Sequence, residues 1–374
     1  MMWAQRLRWI FVLAWALCSM AQAEIVIAQI SPRTGPLSPN GMGNFIGAKA
    51  VIDEVNSQGG IHGQKIRLVF EDDQYKPSET VRLLQQVAER DKPVLFLNLL
   101  GSANVAAVIQ DKTLERLGIP AVGITPGSEA LRSPGSPWMF HVQAGDKLQL
   151  QKIITHLSTI GISSISVVYQ DIPFGQSGLR FLEEFANQAG VKLIERVPVK
   201  PGSDDLREAA AQLKKSGAQT YVMVLVPNSG ASLVRDVRGA GDMTPVYGMS
   251  YISVSEVIGK AGAVQAVGVA LAQITPNTYS DSSGMTRRFK DVMQRFGPGD
   301  PPPDQFQLIG YAAARVAVEA LRRAGPQPTP AKLLATLRTL KLDEGGFPID
   351  FTLGNVGSMY VNIGVISKSG RLTY

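Results

Sequence analysis

The strongest constraint on the fold is a regular alternation of strand-like and helix-like segments that begins at residue 24. Short apolar, β-branched stretches such as residues 24–30 have the composition of buried parallel strands. Between them, apolar residues recur every three or four positions, as at Phe45, Ala48 and Ile52, and indicate helices with one buried face. This order predicts an α/β fold of open parallel sheets with helices on both faces.

The alternation comes in two blocks of similar length, separated by a loop rich in Ser, Pro and Gly at residues 133–137. A chain of 374 residues has room for two domains or slightly more. The two blocks therefore predict two similar doubly wound parallel-sheet lobes. A third block, residues 284–340, is mostly helical apart from a proline-rich segment, and we expect it to complete the first lobe.

Residues 1–23 have the pattern of a cleavable signal peptide. Two arginines precede an apolar run at residues 9–17, and small residues at positions 21 and 23 predict cleavage after Ala23 and a periplasmic location. An uncleaved N-terminal anchor is the alternative, although the apolar run is short for a membrane span. Cleavage would leave 351 residues without a cysteine, because the one cysteine of the chain is Cys18.

Charge and motifs exclude several classes of function. Basic pairs are scattered and interrupted by acidic pairs, so we expect no nucleic-acid partner. The histidines at positions 62, 141 and 156 lack metal-ligand spacing, and residues 41–47 resemble a dinucleotide fingerprint with one residue too many. The sequence predicts no metal and no cofactor. An enzyme is the alternative, but we find no nucleophile–base pair or cofactor loop.

Six segments carry a family resemblance, and they occur in the expected order along the chain. They are IVIAQISPRTG (25–35), GAKAVIDEVNSQGGIHG (47–63), KIRLVFEDD (65–73), IPAVGITP (119–126), VVYQDIPFGQSG (167–178) and VRDVRGAG (234–241). On these segments the chain resembles the type I periplasmic solute-binding proteins of ABC importers, in particular the leucine/isoleucine/valine-binding branch.

The resemblance implies two lobes joined by three crossover segments, with a small-molecule ligand, an amino acid or carboxylate, in the cleft between them. It also implies a monomer that delivers the ligand to a membrane permease. The expected lobes are residues 24–143 with 275–348, and residues 144–274 with 349–374. A ligand sensor for a membrane receptor or regulator on the same fold is the alternative function.

The first candidate ligand contacts lie in loops after predicted strands. Gly101 and Ser102 precede a helix whose free amides, with the Ser102 hydroxyl, suit a carboxylate, and the resemblance puts a carboxylate-binding serine in this loop. The alternative is that Ser102 is only an N-cap. The resemblance also implicates the next such loop, with Thr125, Gly127 and Ser128 as candidates, unless that loop is an ordinary turn.

The second lobe offers Asp171 and Phe174, and an aromatic residue at position 174 matches one that packs on the ligand in the family, unless it is a core phenylalanine. Asn40 departs from a first-lobe aromatic. Near Ser250 the leucine-type members have an acid for the ligand ammonium, and this chain has none there. Either Asp171 or another acid replaces it, or the ligand lacks an ammonium; Tyr251 offers a hydroxyl or a ring face.

Overall fold

A computed structural model describes residues 24–35, 37–125, 128–200, 202–299 and 303–374. The predicted signal peptide and its cleavage site lie outside these residues. Two separate sheets organise the described chain, and we call each sheet with the elements packed on it a lobe.

The first lobe is built on a five-stranded parallel sheet of order β2-β1-β3-β4-β5. Its strands are β1 (Ile25–Ile30), β2 (Ile66–Glu71), β3 (Leu95–Leu97), β4 (Ala121–Val122) and β5 (Met139–Phe140). Alternate residues of β1 enter two different apolar cores, with Ile25 and Ile27 on one face and Ala28 and Ile30 on the other. A strand with two buried faces requires a continuous apolar run, which is what residues 25–30 supply.

Helices cover both faces of this sheet. They are α1 (Ser38–Ser57), α2 (Pro77–Asp91), α3 (Ser102–Gln110) and α4 (Thr113–Leu117), joined by three helices from much later in the chain. Between these two groups along the chain come the helices of the second lobe, which belong to the other sheet: α5 (Asp146–Thr159), α6 (Pro173–Gln188), α7 (Arg207–Ser216), α8 (Pro227–Gly239), α9 (Val254–Ala261) and α10 (Ala263–Ala266). The late first-lobe helices are α11 (Gly284–Phe296), α12 (Gln305–Ala324) and α13 (Pro330–Leu337).

The second lobe is built on a seven-stranded sheet of order β14-β13-β10-β9-β8-β6-β7. Its strands are β6 (Ser164–Gln170), β7 (Lys192–Val199), β8 (Thr220–Val224), β9 (Val246–Gly248), β10 (Ala270–Gln273), β13 (Asn362–Ile366) and β14 (Leu372–Thr373). The first five are parallel and the last two antiparallel. A two-stranded hairpin, β11 (Lys341–Asp343) with β12 (Pro348–Asp350), lies outside both sheets.

The late helix α12 packs directly on α1, and glycines permit this contact. A Cβ atom on Gly47 would lie 1.8 Å from the Gln307 carbonyl oxygen, and one on Gly310 would lie 1.9 Å from that of Asn44. The Gly-rich segment 41–47 therefore serves helix packing. The late helices α11 and α12 thus pack with α1, and all three late helices share its apolar core.

The chain passes between the lobes three times, after β5, after β10 and after the β11–β12 hairpin. Two of these crossovers are hydrogen-bonded to each other, because His141 N–H donates to the Asn355 carbonyl at 2.7 Å and Gly357 N–H to that of His141 at 2.8 Å. An apolar cluster of Ala144, Ile274, Phe306 and Ile309 also forms there. We call this region the hinge.

The predicted fold class is confirmed: two doubly wound α/β lobes with three crossovers. Sequence patterns did not reveal β5 or the β11–β12 hairpin, because strands of two or three residues are too short to repeat a period. The helix α9 was also missed, although the Ser253–Glu256 capping box and the buried positions Val254, Val257 and Ala261 are typical of a helix. The lobe boundaries stay a proposal. Ile349 and Phe351 pack in the first-lobe core, so we propose to move the last boundary beyond residue 353. Among the described residues, no helix has the length and hydrophobicity that a membrane span requires.

Candidate functional site

A cleft, which we call the cavity, has about 440 Å³ of non-atom space, part of it open to solvent, and lies between the lobes at the carboxyl ends of the parallel strands. Its lining residues follow strands of both sheets: Leu37, Asn40, Tyr75, Leu100, Gly101, Ser102, Thr125, Ile172, Phe174, Leu225, Val226, Pro227 and Tyr251. Open α/β sheets bind ligands at this edge of the strands.

The loop from β3 into α3 forms one end of the cavity. Gly101 is the N-cap of α3 and Ser102 its first residue, so the interpretation of Ser102 as an N-cap is wrong. The Ser102 hydroxyl oxygen instead accepts a hydrogen bond from the Ser128 amide at 2.9 Å. Its own proton remains available to a ligand, and the first amides of α3 have no acceptor within the helix.

Position 101 requires glycine for two reasons: its backbone conformation and the close approach of Tyr75. Its φ of 92° and ψ of 136° are accessible mainly to glycine. A Cβ atom there would lie 2.2 Å from Cε2 of Tyr75, so the edge of the Tyr75 ring contacts this loop, and the ring forms part of the cavity wall. Tyr75 itself has a φ of 60°, which is uncommon outside glycine.

A buried carboxylate holds Tyr75 and α3 in place. Asp73 accepts hydrogen bonds from the Tyr75 amide at 3.0 Å, the Thr80 hydroxyl at 2.7 Å and the Asn104 side-chain amide at 3.1 Å. Burial raises the pKa of Asp73, and these hydrogen bonds oppose the rise. The carboxyl end of β2 is thereby fixed to α2 and to the first turn of α3, which carries Ser102.

The two described candidates in the loop after β4, Thr125 and Ser128, differ in position: the first lies at the cavity and the second behind it. Thr125 lines the cavity, and its backbone amide donates to the Leu99 carbonyl at 3.0 Å. Ser128 is half-buried and is not a lining residue, and its contribution is the amide that binds Ser102. Gly127 lies outside the described residues.

The second lobe faces this polar end with aromatic and aliphatic groups. Phe174 is 9% exposed, and its ring meets that of Tyr251 edge to face at a centroid distance of 5.8 Å. Phe174 also packs in the core between α5 and the second sheet. Its predicted roles as a cavity residue and as a core residue therefore coexist.

A smaller cavity with about 240 Å³ of space adjoins the main one and shares Asn40, Thr125 and Tyr251 with it. Asn40 is buried, and its Oδ1 has no hydrogen-bond partner within the described structure. Ser250 lines only this smaller cavity. Its amide donates to Gln149 Oε1 at 2.9 Å and its carbonyl accepts from Gln305 Nε2 at 2.8 Å, while its hydroxyl is unpartnered among the described residues.

The Tyr251 hydroxyl donates a hydrogen bond to Asp146, an acid that the sequence did not single out. Asp146 is 3% exposed, and burial raises its pKa well above the usual range, although the Tyr251 hydroxyl and the charge of Arg132 oppose this shift. Burial also raises the pKa of Tyr251. The pair joins the cavity wall to the beginning of α5, next to the hinge.

Asp171 does not reach the cavity. The side chain is exposed, and its carboxylate accepts a hydrogen bond from Gln176 Nε2 at 3.0 Å. The reason is local: α6 begins at Pro173, and Gly175 packs so closely that a Cβ atom there would lie 2.0 Å from the Gln170 carbonyl oxygen. This turn directs residue 174 inward and leaves residue 171 at the surface.

Sequence reasoning missed about half of the cavity wall, and the missed residues share one signal. Most of them stand one to four positions after a strand: Tyr75, Leu100, Ile172, Leu225, Val226 and Pro227. The rule that ligands bind beyond the carboxyl ends of parallel strands applies to each of these loops. Leu37 is the exception, since it lies seven positions after β1.

Comparison with known proteins places this geometry in a family. A solved structure of an extracellular ligand-binding receptor from Verminephrobacter eiseniae is 35% identical, covers 94% of this chain and 100% of its own, and superposes with a TM-score of 0.88. A substrate-binding periplasmic protein from Ralstonia solanacearum is 30% identical, with coverage of 93% and 99% and a TM-score of 0.87.

Among curated proteins, the Leu/Ile/Val-binding protein homolog 3 of Brucella melitensis is 25% identical over 339 residues, which are 90% of this chain and 88% of that protein. The sequence model of the family described as "Periplasmic binding protein" matches residues 24–365. These residues include nearly all of both lobes and every described residue of the cavity wall. The chain therefore belongs to the periplasmic binding protein family, with the type I fold.

Proposed function

We propose that the protein is the substrate-binding component of an ABC importer and binds a branched-chain amino acid or a related small carboxylic acid in the cleft between its lobes. One observation carries this proposal. A single cavity takes its walls from both lobes and has, at one end, the Ser102 hydroxyl and the first amides of α3.

The two walls would bind different parts of the ligand. The amino-terminal end of a helix has a partial positive charge and unpaired N–H groups, so α3 and Ser102 would hold the carboxylate. Phe174 and Tyr251 would cover the apolar part of the ligand from the other lobe. Because contacts to both walls exist only when the cleft is closed, ligand shifts the population toward the closed form.

Names of relatives support the ligand class and the location. The Brucella relative is named for leucine, isoleucine and valine, and the Ralstonia structure is described as a substrate-binding periplasmic protein. We propose by extension that the mature protein acts in the periplasm and that its partner is the permease of the importer. The permease would distinguish the closed, loaded protein from the open one.

Distance measurements between the lobes test this proposal. The mature chain from Glu24 has no cysteine, so Lys76→Cys and Gln176→Cys provide two labelling sites, both exposed and one on each lobe. We expect leucine, valine or one of the corresponding ammonium-free acids to raise energy transfer between dyes at these positions. A control pair within the first lobe, Lys76→Cys with Glu115→Cys, should show no change. Binding without any change in the interlobe distance would contradict the closure mechanism.

A further inference from the structure

The wall of the main cavity carries no charged side chain. All thirteen lining residues in the described structure are neutral, and so are the nine that line the smaller cavity. Pro126 and Gly127, which follow Thr125 in the sequence, bring no ionisable side chain either. Any charge on a bound solute must therefore be stabilised by hydrogen bonds and dipoles alone.

The polar groups at the α3 end are hydrogen-bond donors. The Ser102 oxygen already accepts from the Ser128 amide, which leaves its proton for the solute. The first amides of α3 donate as well, and the helix dipole adds a partial positive charge at the same place. This set stabilises a carboxylate and disfavours a cation beside it.

Three acids near the cleft are candidate partners for an ammonium group, and none of them lines either cavity: Asp171, Asp146 and Glu129, whose charge acts on Asp146 and Tyr251. Asp171 is exposed and binds Gln176 outside the cavity. Asp146 lies behind Tyr251 and accepts a hydrogen bond from its hydroxyl, and the charge of Arg132 acts on the same carboxyl group. An ammonium buried in this cleft would lose its hydration without gaining a carboxylate, which is unfavourable.

The rest of the wall suits an apolar group. Leu37, Leu100, Ile172 and Val226 surround the space between the α3 end and the Phe174–Tyr251 ring pair. We infer that the solute is a monocarboxylic acid with an apolar body and no ammonium group. This inference rests on the proposed function and narrows its ligand class.

Matched pairs of ligands test the inference, because the members of each pair differ mainly in the ammonium group. The pairs are leucine with 4-methylpentanoate, and phenylalanine with 3-phenylpropanoate, titrated calorimetrically into the mature wild-type chain. We expect the acid without the ammonium to bind at least tenfold more tightly in at least one pair, a difference of about 1.4 kcal/mol.

The outcomes separate the two proposals. Equal or tighter binding of the amino acid in every pair that binds would overturn the inference and leave the proposed function standing. Absence of binding by all four ligands would overturn both.

A variant gives a second measurement. Ser250→Asp introduces a carboxylate into the smaller cavity beside Tyr251, and Ser250→Asn is the uncharged control of similar size. We expect Ser250→Asp, but not Ser250→Asn, to shift the preference toward leucine at least tenfold relative to 4-methylpentanoate. Folded Ser250→Asp protein with the wild-type preference would count against the inference. The wild-type titrations decide the matter if that variant does not fold.

Discussion

The two walls of the cleft differ in kind although the two lobes share a fold. The first lobe supplies the polar groups, Asn40, Ser102 and Thr125, together with the start of α3. The second lobe supplies aromatic and aliphatic surface, with Phe174 and Tyr251 at its centre. The first lobe also contributes Leu37 and Leu100, so the difference between the walls lies in the polar side chains.

This asymmetry indicates an order of events in binding. Directional donors on the first lobe can orient the carboxylate while the cleft is open. Apolar contacts from the second lobe are non-directional and gain free energy only when water leaves, so they contribute on closure. Changes in the first wall should therefore weaken the initial binding, and changes in the second wall should weaken the closed state.

The largest effect should come from Gly101→Ala in the first wall. The added Cβ atom would push the Tyr75 ring out of place, and the backbone would be strained at a φ of 92°. We expect ligand affinity, measured by calorimetry, to fall by about 100-fold or more, which corresponds to about 2.7 kcal/mol.

A matched control isolates the contact with Tyr75 from the backbone strain. Gly262 has nearly the same backbone conformation, with φ 86° and ψ 153°, and a Cβ atom there would meet only the flexible end of Gln265. Gly262→Ala should lower the free energy of unfolding by about 1–3 kcal/mol and leave ligand affinity unchanged. Equal affinity losses in both variants would contradict a role of the Gly101–Tyr75 contact in ligand binding.

The next effect concerns the polar end of the cavity. Ser102→Ala removes the hydroxyl that would donate to the ligand carboxylate and should weaken binding by about 1–3 kcal/mol. Ser128→Ala retains the backbone amide that binds Ser102, so its affinity should stay within about threefold of wild type. If calorimetry gives Ser102→Ala the wild-type affinity, the first wall does not bind the carboxylate through this hydroxyl.

A smaller effect is expected from the apolar wall. Phe174→Leu removes the edge-to-face contact with Tyr251 and part of the covering surface, which should cost about 0.5–1.5 kcal/mol of affinity. Phe181→Leu is the control, because Phe181 lies on the same helix and stacks on Phe185 outside the cavity lining. In the interlobe distance assay, Phe174→Leu should reduce the closed fraction at saturating ligand. A loss in affinity with unchanged closure would contradict the division of roles between the walls.

The smallest effect on affinity, but a distinct one on stability, is expected from Asp146→Asn behind the second wall. Folding raises the pKa of Asp146 through burial, so this acid contributes stability below its unfolded pKa of about 3.9 and loses that contribution as pH rises through the folded value. The side-chain oxygen of asparagine can still accept a hydrogen bond from the Tyr251 hydroxyl, without the burial cost of a charge.

Denaturant unfolding at several pH values checks this expectation. Wild type should lose stability relative to Asp146→Asn as pH increases from 4 towards 8. Asp291 is exposed, so Asp291→Asn is the control for the loss of one negative charge. A stability difference between wild type and Asp146→Asn that does not change with pH would show that folding does not raise the pKa of Asp146.

Much of the fold was predictable because its elements repeat a period. Residues 164–170 were expected as a strand and form β6, and the helix expected after residue 204 is α7. In the site, Ser102, Thr125, Phe174 and Tyr251 follow strands and line the cavity. The prediction for Asp171 was wrong in position, because local sequence does not reveal that the turn before α6 faces this side chain outward.

The sequence by itself determined the strand and helix order, which depends on local composition and periodicity. The resemblance of six segments pointed to the family and to the loops from which ligand contacts would come. Tertiary structure alone decided that Tyr75 would lie against Gly101, that Ser128 would act through its amide and that Asp146 would be buried behind Tyr251. Each of these contacts joins residues far apart in the chain, and side-chain direction and burial are set only when the elements pack.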